Sequence, residues 1–162
     1  MKELLKKMGF RRPKTRLLRS LSYAFEGIYK CAKQERNFRI HIFIAVGVLL
    51  LSKQFHLSQA ENIAIVISVF LVLSAETFNT AIENLVNLVT DRHHKIAKVV
   101  KDLSSGAVLL TGFSAIALFC MIFLTRPDFF GQAKNALTLY NILIMIPPTI
   151  ILFLPVEKKF KK

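Results

Sequence analysis

The chain has 162 residues, 53% of them apolar, and its 23 Lys and Arg against 10 Asp and Glu give a formal charge of +13. That length suits one compact domain and not two, and the two cysteines, Cys31 and Cys120, form neither a disulfide framework nor a metal-ligand spacing. Because the apolar residues fall in long runs, the basic excess points to an anionic lipid surface or a nucleotide and away from nucleic acid.

Residues 1–39 hold 12 of the basic residues and no uninterrupted apolar run of the signal-peptide kind. After a basic arm, Leu17, Leu21, Phe25, Ile28 and Ala32 recur at helical spacing, with Arg16, Arg19, Glu26, Lys30 and Lys33 on other faces. This predicts an amphipathic helix lying on the cytoplasmic membrane surface. A plain anchor without chemistry fits the same pattern.

The first apolar run, 40–51, is short and spans a bilayer only with Phe38, Arg39 and His41 included, Arg39 snorkelling to the interface. The second, 63–75, continues into a mixed segment to 89, and must use that polar half to reach across. Runs at 104–124 and 137–156 each match the roughly 20 helical residues that a hydrocarbon core about 30 Å thick requires. Pro147-Pro148 should kink or break the last into half-helices, or leave it interfacial. If successive segments alternate sides, 20 basic residues fall on one face and 3 on the other. That asymmetry predicts both termini in the cytoplasm of a bacterial plasma-membrane protein. The expected fold is thus an all-α integral membrane protein: a surface helix, three core spans and a fourth C-terminal apolar helix. Its divisions are 1–39, 40–124 and 125–162.

The second span carries the informative residues. At about 100° per residue, Glu76, Asn79, Thr80, Glu83 and Asn87 fall within an arc of roughly 100°. Phe78, Ile82, Leu85 and Val86 take the other faces. If the span enters the core near Ile63, Glu83 lies about 30 Å further on, at the cytoplasmic boundary, with Glu76 roughly 10 Å inside it. A carboxylate at that depth is costly unless it faces protein, water or a cation. Two on one stripe repel, which implies a divalent metal or a basic partner. A polar seam that joins helices is the bland alternative, but such seams are built from Ser, Thr or a single Asn.

A second cluster, Asp91-Arg92-His93-His94-Lys95 with Lys98, Lys101 and Asp102, stands before the third span. Cations beside an acidic stripe suit a nucleotide whose phosphates share Mg²⁺ with the carboxylates, while ordinary positive-inside charge accounts for Lys95 and Lys98. Adjacent His93 and His94 diverge on a helix and make a poor metal pair. The third cluster, Glu35-Arg36-Asn37-Phe38-Arg39, sits at the mouth of the first span. No Walker loop, kinase Gly-rich loop or nucleophile elbow is present.

The run AETFNTAIENLVN, followed by AKVVKDLSSGAVLL, resembles the bacterial diacylglycerol kinase and undecaprenol kinase family over about residues 15–124. Thr15-Arg16, Tyr23, Gly27, Glu35, Phe38 and Arg39 keep that family's spacing upstream, and the wording of AETFNTAIE, NFRIH and GAVLL is similar to its undecaprenol kinase branch. The resemblance implies a small homotrimeric membrane kinase with MgATP as donor and a lipid alcohol as acceptor. By position it implies Glu76 as general base and Glu35 and Glu83 as Mg²⁺ ligands. Asn79, Lys101 and Asp102 would position ATP, joined by Arg16, Tyr23 and His94, with Arg39 and Ser105 near the lipid. Asn87 departs from the family's usual Asp, and the segment after Leu124 extends past the family's usual end. An ion-conducting or proton-relay subunit is the reading from a different class. It requires a polar path through 63–73, where only Ser68 is polar. A structural protein with a lipid-recruiting basic arm is the third.

Overall fold

In a computed structural model, residues 16–90, 92, 94–135 and 139–153 are described, and among them every regular element is helical. The arm 1–15, Asp91, His93 and the basic tail lie outside the described residues. Helix α1 (Arg16–Gln34) is followed by α2 (Arg36–Ser52), α3 (Gln59–Val89) and α4 (Lys95–Phe119), which runs on through a π-helical turn, Cys120–Leu124. Short α5 (Phe129–Asn135) and α6 (Leu139–Phe153) complete the order.

Two helices, Gln59–Val89 and Lys95–Leu124, are long and apolar enough to cross a membrane. They pack along each other as the main helix pair, with α2 against α3 and α6 against α2. The 17 residues of α2 reach about 26 Å at 1.5 Å per residue, less than the hydrocarbon thickness. Large apolar side chains point outward all along α3 and α4, among them Phe70, Phe78, Leu110 and Phe113. The buried set instead includes Glu26, Arg39, Glu76, Asn79, Thr80 and Ser104. Polarity is therefore turned inward, the arrangement suited to an apolar solvent.

Several sequence expectations shift. The segment 90–103, expected as a loop, is helical from Lys95, because lysines are good helix formers and His94 caps the start. Its Nδ1 accepts the Ile96 amide at 3.2 Å. Arg39, expected to snorkel outward, is buried: α2 already begins at Arg36, and α1 folds back against it. Pro147 and Pro148, expected to interrupt the last apolar run, lie inside a continuous 15-residue helix. Each still removes a backbone donor from the ladder, and the Thr149 hydroxyl adds a bond to the Met145 carbonyl at 2.6 Å.

One end of the bundle is closed by aromatic packing. Phe55, Ile65, Ile122 and Phe123 form its core, and the Phe55 and Phe123 rings meet edge to face at 5.1 Å. Ser58 caps α3 in a reciprocal box: its Oγ accepts the Glu61 amide at 3.3 Å, and its own amide donates to Glu61 Oε2 at 2.7 Å. The other oxygen of Glu61 accepts from Arg126 Nη2 at 2.7 Å, tying the start of α3 to the turn beyond α4.

Candidate functional site

The opposite half of the bundle is polar inside. On α3 the four-residue steps from Val72 to Glu76 to Thr80, with Asn79 alongside, keep one face inward, and all four residues are buried. Glu76 is 2% exposed, one of the two most enclosed side chains described. The Thr80 hydroxyl donates to the Glu76 carbonyl at 3.0 Å and lies 3.4 Å from the Cys31 Sγ of α1.

From the α4 side, the Ser104 hydroxyl donates to Asn79 Oδ1 at 2.7 Å, and Ser105 approaches the same oxygen at 3.5 Å. Asn79 Nδ2 in turn donates to Glu83 Oε1 at 3.4 Å. One turn further along α3, Lys101 Nζ donates to Asn87 Oδ1 at 2.7 Å. The network therefore couples α3 and α4 through amides and hydroxyls, and it leads from the enclosed part of the stripe to its exposed end.

Glu35 caps α2 with extended backbone (φ −112°, ψ 116°) and forms the elbow at which α1 turns away. Its amide still donates to the Cys31 carbonyl at 2.9 Å. Burial pushes the Cys31 thiol above its ordinary range; the Thr80 contact opposes this, and the negative charges of Glu35 and Glu76 raise it further. Two carboxylates, Glu35 at the elbow between α1 and α2 and Glu76 on α3, therefore act by charge on the same thiol. Cys31 is a protonated, inert group at neutral pH.

Among the described residues no three His, Cys, Asp or Glu side chains gather as a metal cluster. Magnesium needs fewer protein ligands, usually one or two carboxylates with waters and substrate phosphates completing its shell. Half-buried Glu35 and Glu83 are hard oxygen donors of that kind, and they fit such an ion on ligand chemistry.

Hydrogen bonds thus join Asn79 to Glu83, Ser104 and Ser105, the Lys101 backbone carbonyl accepts from both serines, and the Lys101 side chain meets Asn87, while Glu76 and Glu35 act by charge on one thiol. Arg16, Tyr23 and Asp102 are exposed on their helices and take no part in the bonds around Asn79, while His94 caps α4. Arg39 is buried on α2. Ser104, which sequence reasoning passed over for Ser105, makes the shorter bond to Asn79. The step of about 100° between neighbours lets one of the two face α3 squarely and leaves the other a longer contact, and nothing in the sequence says which is which. Glu26 was also read as a surface group, but it is buried and meets Lys30 Nζ at 2.8 Å.

The profile of the prokaryotic diacylglycerol kinase family matches residues 22–123. An undecaprenol kinase of Bacillus subtilis is 37% identical over 111 residues, which is 68% of this chain and 90% of that protein. A diacylglycerol kinase of Synechocystis is 38% identical over 101 residues, covering 62% of this chain and 58% of that protein. The Escherichia coli K12 diacylglycerol kinase is 24% identical over 108 residues, 67% of this chain and 88% of that protein. No solved structure matches the chain.

Proposed function

The chain belongs to the prokaryotic diacylglycerol kinase family and is an ATP-dependent lipid kinase; from that premise we infer that it transfers the γ-phosphoryl group of MgATP to undecaprenol, with diacylglycerol the second choice of acceptor. The single observation that carries the site is Glu76, a carboxylate enclosed on a membrane-crossing helix beside an amide and hydroxyl network. Keeping such a group out of water is costly, and a proton acceptor at a lipid hydroxyl gives it a use.

In this reading Glu76 takes the proton of the lipid hydroxyl as the oxygen attacks the γ-phosphorus in line. The bond to the bridging oxygen breaks, ADP leaves, and the proton passes from Glu76 to water. Glu35 and Glu83 would hold Mg²⁺, which neutralises charge on the phosphate oxygens when bound. Asn79, Lys101 and Asp102 orient the nucleotide, with Arg16, Tyr23 and His94 at its edge. Arg39 and Ser105 lie towards the lipid. Phosphoryl transfer asks the protein mainly for positioning and charge stabilisation, which suits so small a chain. The family resemblance implies a homotrimer, and the basic asymmetry favours a multi-pass protein of the bacterial plasma membrane with both termini cytoplasmic.

The test is transfer from MgATP in mixed micelles offering undecaprenol and diacylglycerol separately, with Glu76→Gln alongside. Loss of general-base catalysis should lower kcat by about 10²–10⁴-fold while the folded fraction is unchanged. A folded Glu76→Gln enzyme that retains turnover removes Glu76 as base. Preference for diacylglycerol keeps the chemistry and changes the acceptor.

A further inference from the structure

Directly beyond Glu76, on the same buried face of α3, lies an apolar cavity of about 200 Å³ bounded by α2, α3 and α4. Val72, one helical turn and about 6 Å before Glu76, is part of its wall, as are Ile65 and Val69. Small residues hold it open: Ala45 on α2, and Gly112 and Ala115 on α4. A Cβ built at Gly112 meets no atom within 4 Å, so the backbone there does not need glycine for close approach. Natural interiors leave few voids larger than a water molecule. Here the space is also accessible from the side, because Ile44 and Ile116 line it while standing exposed on the outer surface. An occupant therefore enters from hydrocarbon and not from water.

We propose that this cavity seats the methyl-branched isoprene units next to the hydroxyl of a polyprenol, and that Gly112 sets the preference for that chain over unbranched acyl chains. The proposal rests on the kinase reading above and names the lipid it selects. An apolar cavity of roughly 150 Å³ takes up a benzene-sized guest, so the space here admits a five-carbon unit with its side methyl. A straight chain passes the same point without needing the extra width. The hydroxyl end then falls at Glu76, because cavity and carboxylate share one helix face a turn apart.

The experiment is Gly112→Leu, assayed with undecaprenol and with diacylglycerol, with KM for MgATP measured in parallel. Filling the space should lower kcat/KM for undecaprenol by at least about tenfold, leave KM for MgATP unchanged and shift the turnover ratio towards diacylglycerol. Gly112→Ala, one methyl, should give a smaller change of the same sign and serves if the Leu variant does not fold. Unchanged undecaprenol turnover in a folded variant overturns the proposal, as does an equal loss on both lipids. A wild-type protein that phosphorylates diacylglycerol but no polyprenol overturns the proposal and leaves the kinase reading standing, whereas one that phosphorylates neither lipid defeats the kinase reading beneath it.

Discussion

At one end of the bundle, Phe55, Phe119, Phe123 and Phe129 pack ring against ring while the Glu61–Arg126 pair ties the start of α3 to the turn beyond α4. At the other end the same two long helices meet through Ser104, Asn79 and Glu83. The first end gains dispersion contacts without enclosing any isolated polar group. The second encloses a carboxylate, an amide and hydroxyls where aliphatic side chains would pack at less cost. Stability accounts for the aromatic end, and chemistry is the better account of the polar one.

That contrast can be broken most directly at Phe55, which is buried edge to face against Phe123. Phe55→Ala should cost about 3–5 kcal/mol and lower the unfolding midpoint, with kcat per folded molecule preserved. A large drop in kcat at unchanged stability would show that the two ends are not independent. Ser104→Ala should weigh on turnover as well as on stability. Leaving the enclosed Asn79 oxygen with only the longer Ser105 contact costs about 1–3 kcal/mol of stability, and the loosened Asn79 should lower turnover by roughly tenfold or more. Full activity in that variant would reduce the α3–α4 network to helix adhesion.

The smallest effect concerns Cys31. Its raised pKa means that its contribution to stability is complete below the free thiol's value of about 8.5 and declines as pH climbs through that of the buried thiol. Alkylation in the folded protein should therefore lag behind that of a free thiol as pH rises. Glu35→Gln, which removes the stronger of the two negative neighbours, should speed it. Labelling as fast as that of a free cysteine would mean that α1 does not stay against α3.

Much of the polar half was legible because a helix imposes its period on the sequence: the stripe at Glu76, Asn79 and Thr80 is buried as a unit. The period does not say how far burial extends along the stripe, and Asn87 proves exposed while Glu83 is half-buried. The choice between Ser104 and Ser105 depends on how α4 is rotated about its own axis, a tertiary property that adjacent serines do not encode. The burial of Glu26 and Arg39 likewise comes from the fold-back of α1 at Glu35, which a local pattern of charges does not reveal. The basic segment from Lys95 resembled a loop by charge, although its residues are compatible with a helix.

The 31 residues of α3 extend about 46 Å, some 16 Å more than the hydrocarbon core. Even with tilt, such a rod crosses the oil–water boundary with residues to spare. A reaction between a lipid that stays dissolved in the bilayer and a nucleotide that stays dissolved in water needs a meeting point that neither must leave its own solvent to reach. In the proposed reading a single overlong helix with one polar stripe provides it: the lipid hydroxyl would come to the enclosed Glu76 end and the nucleotide to the exposed Asn87 end.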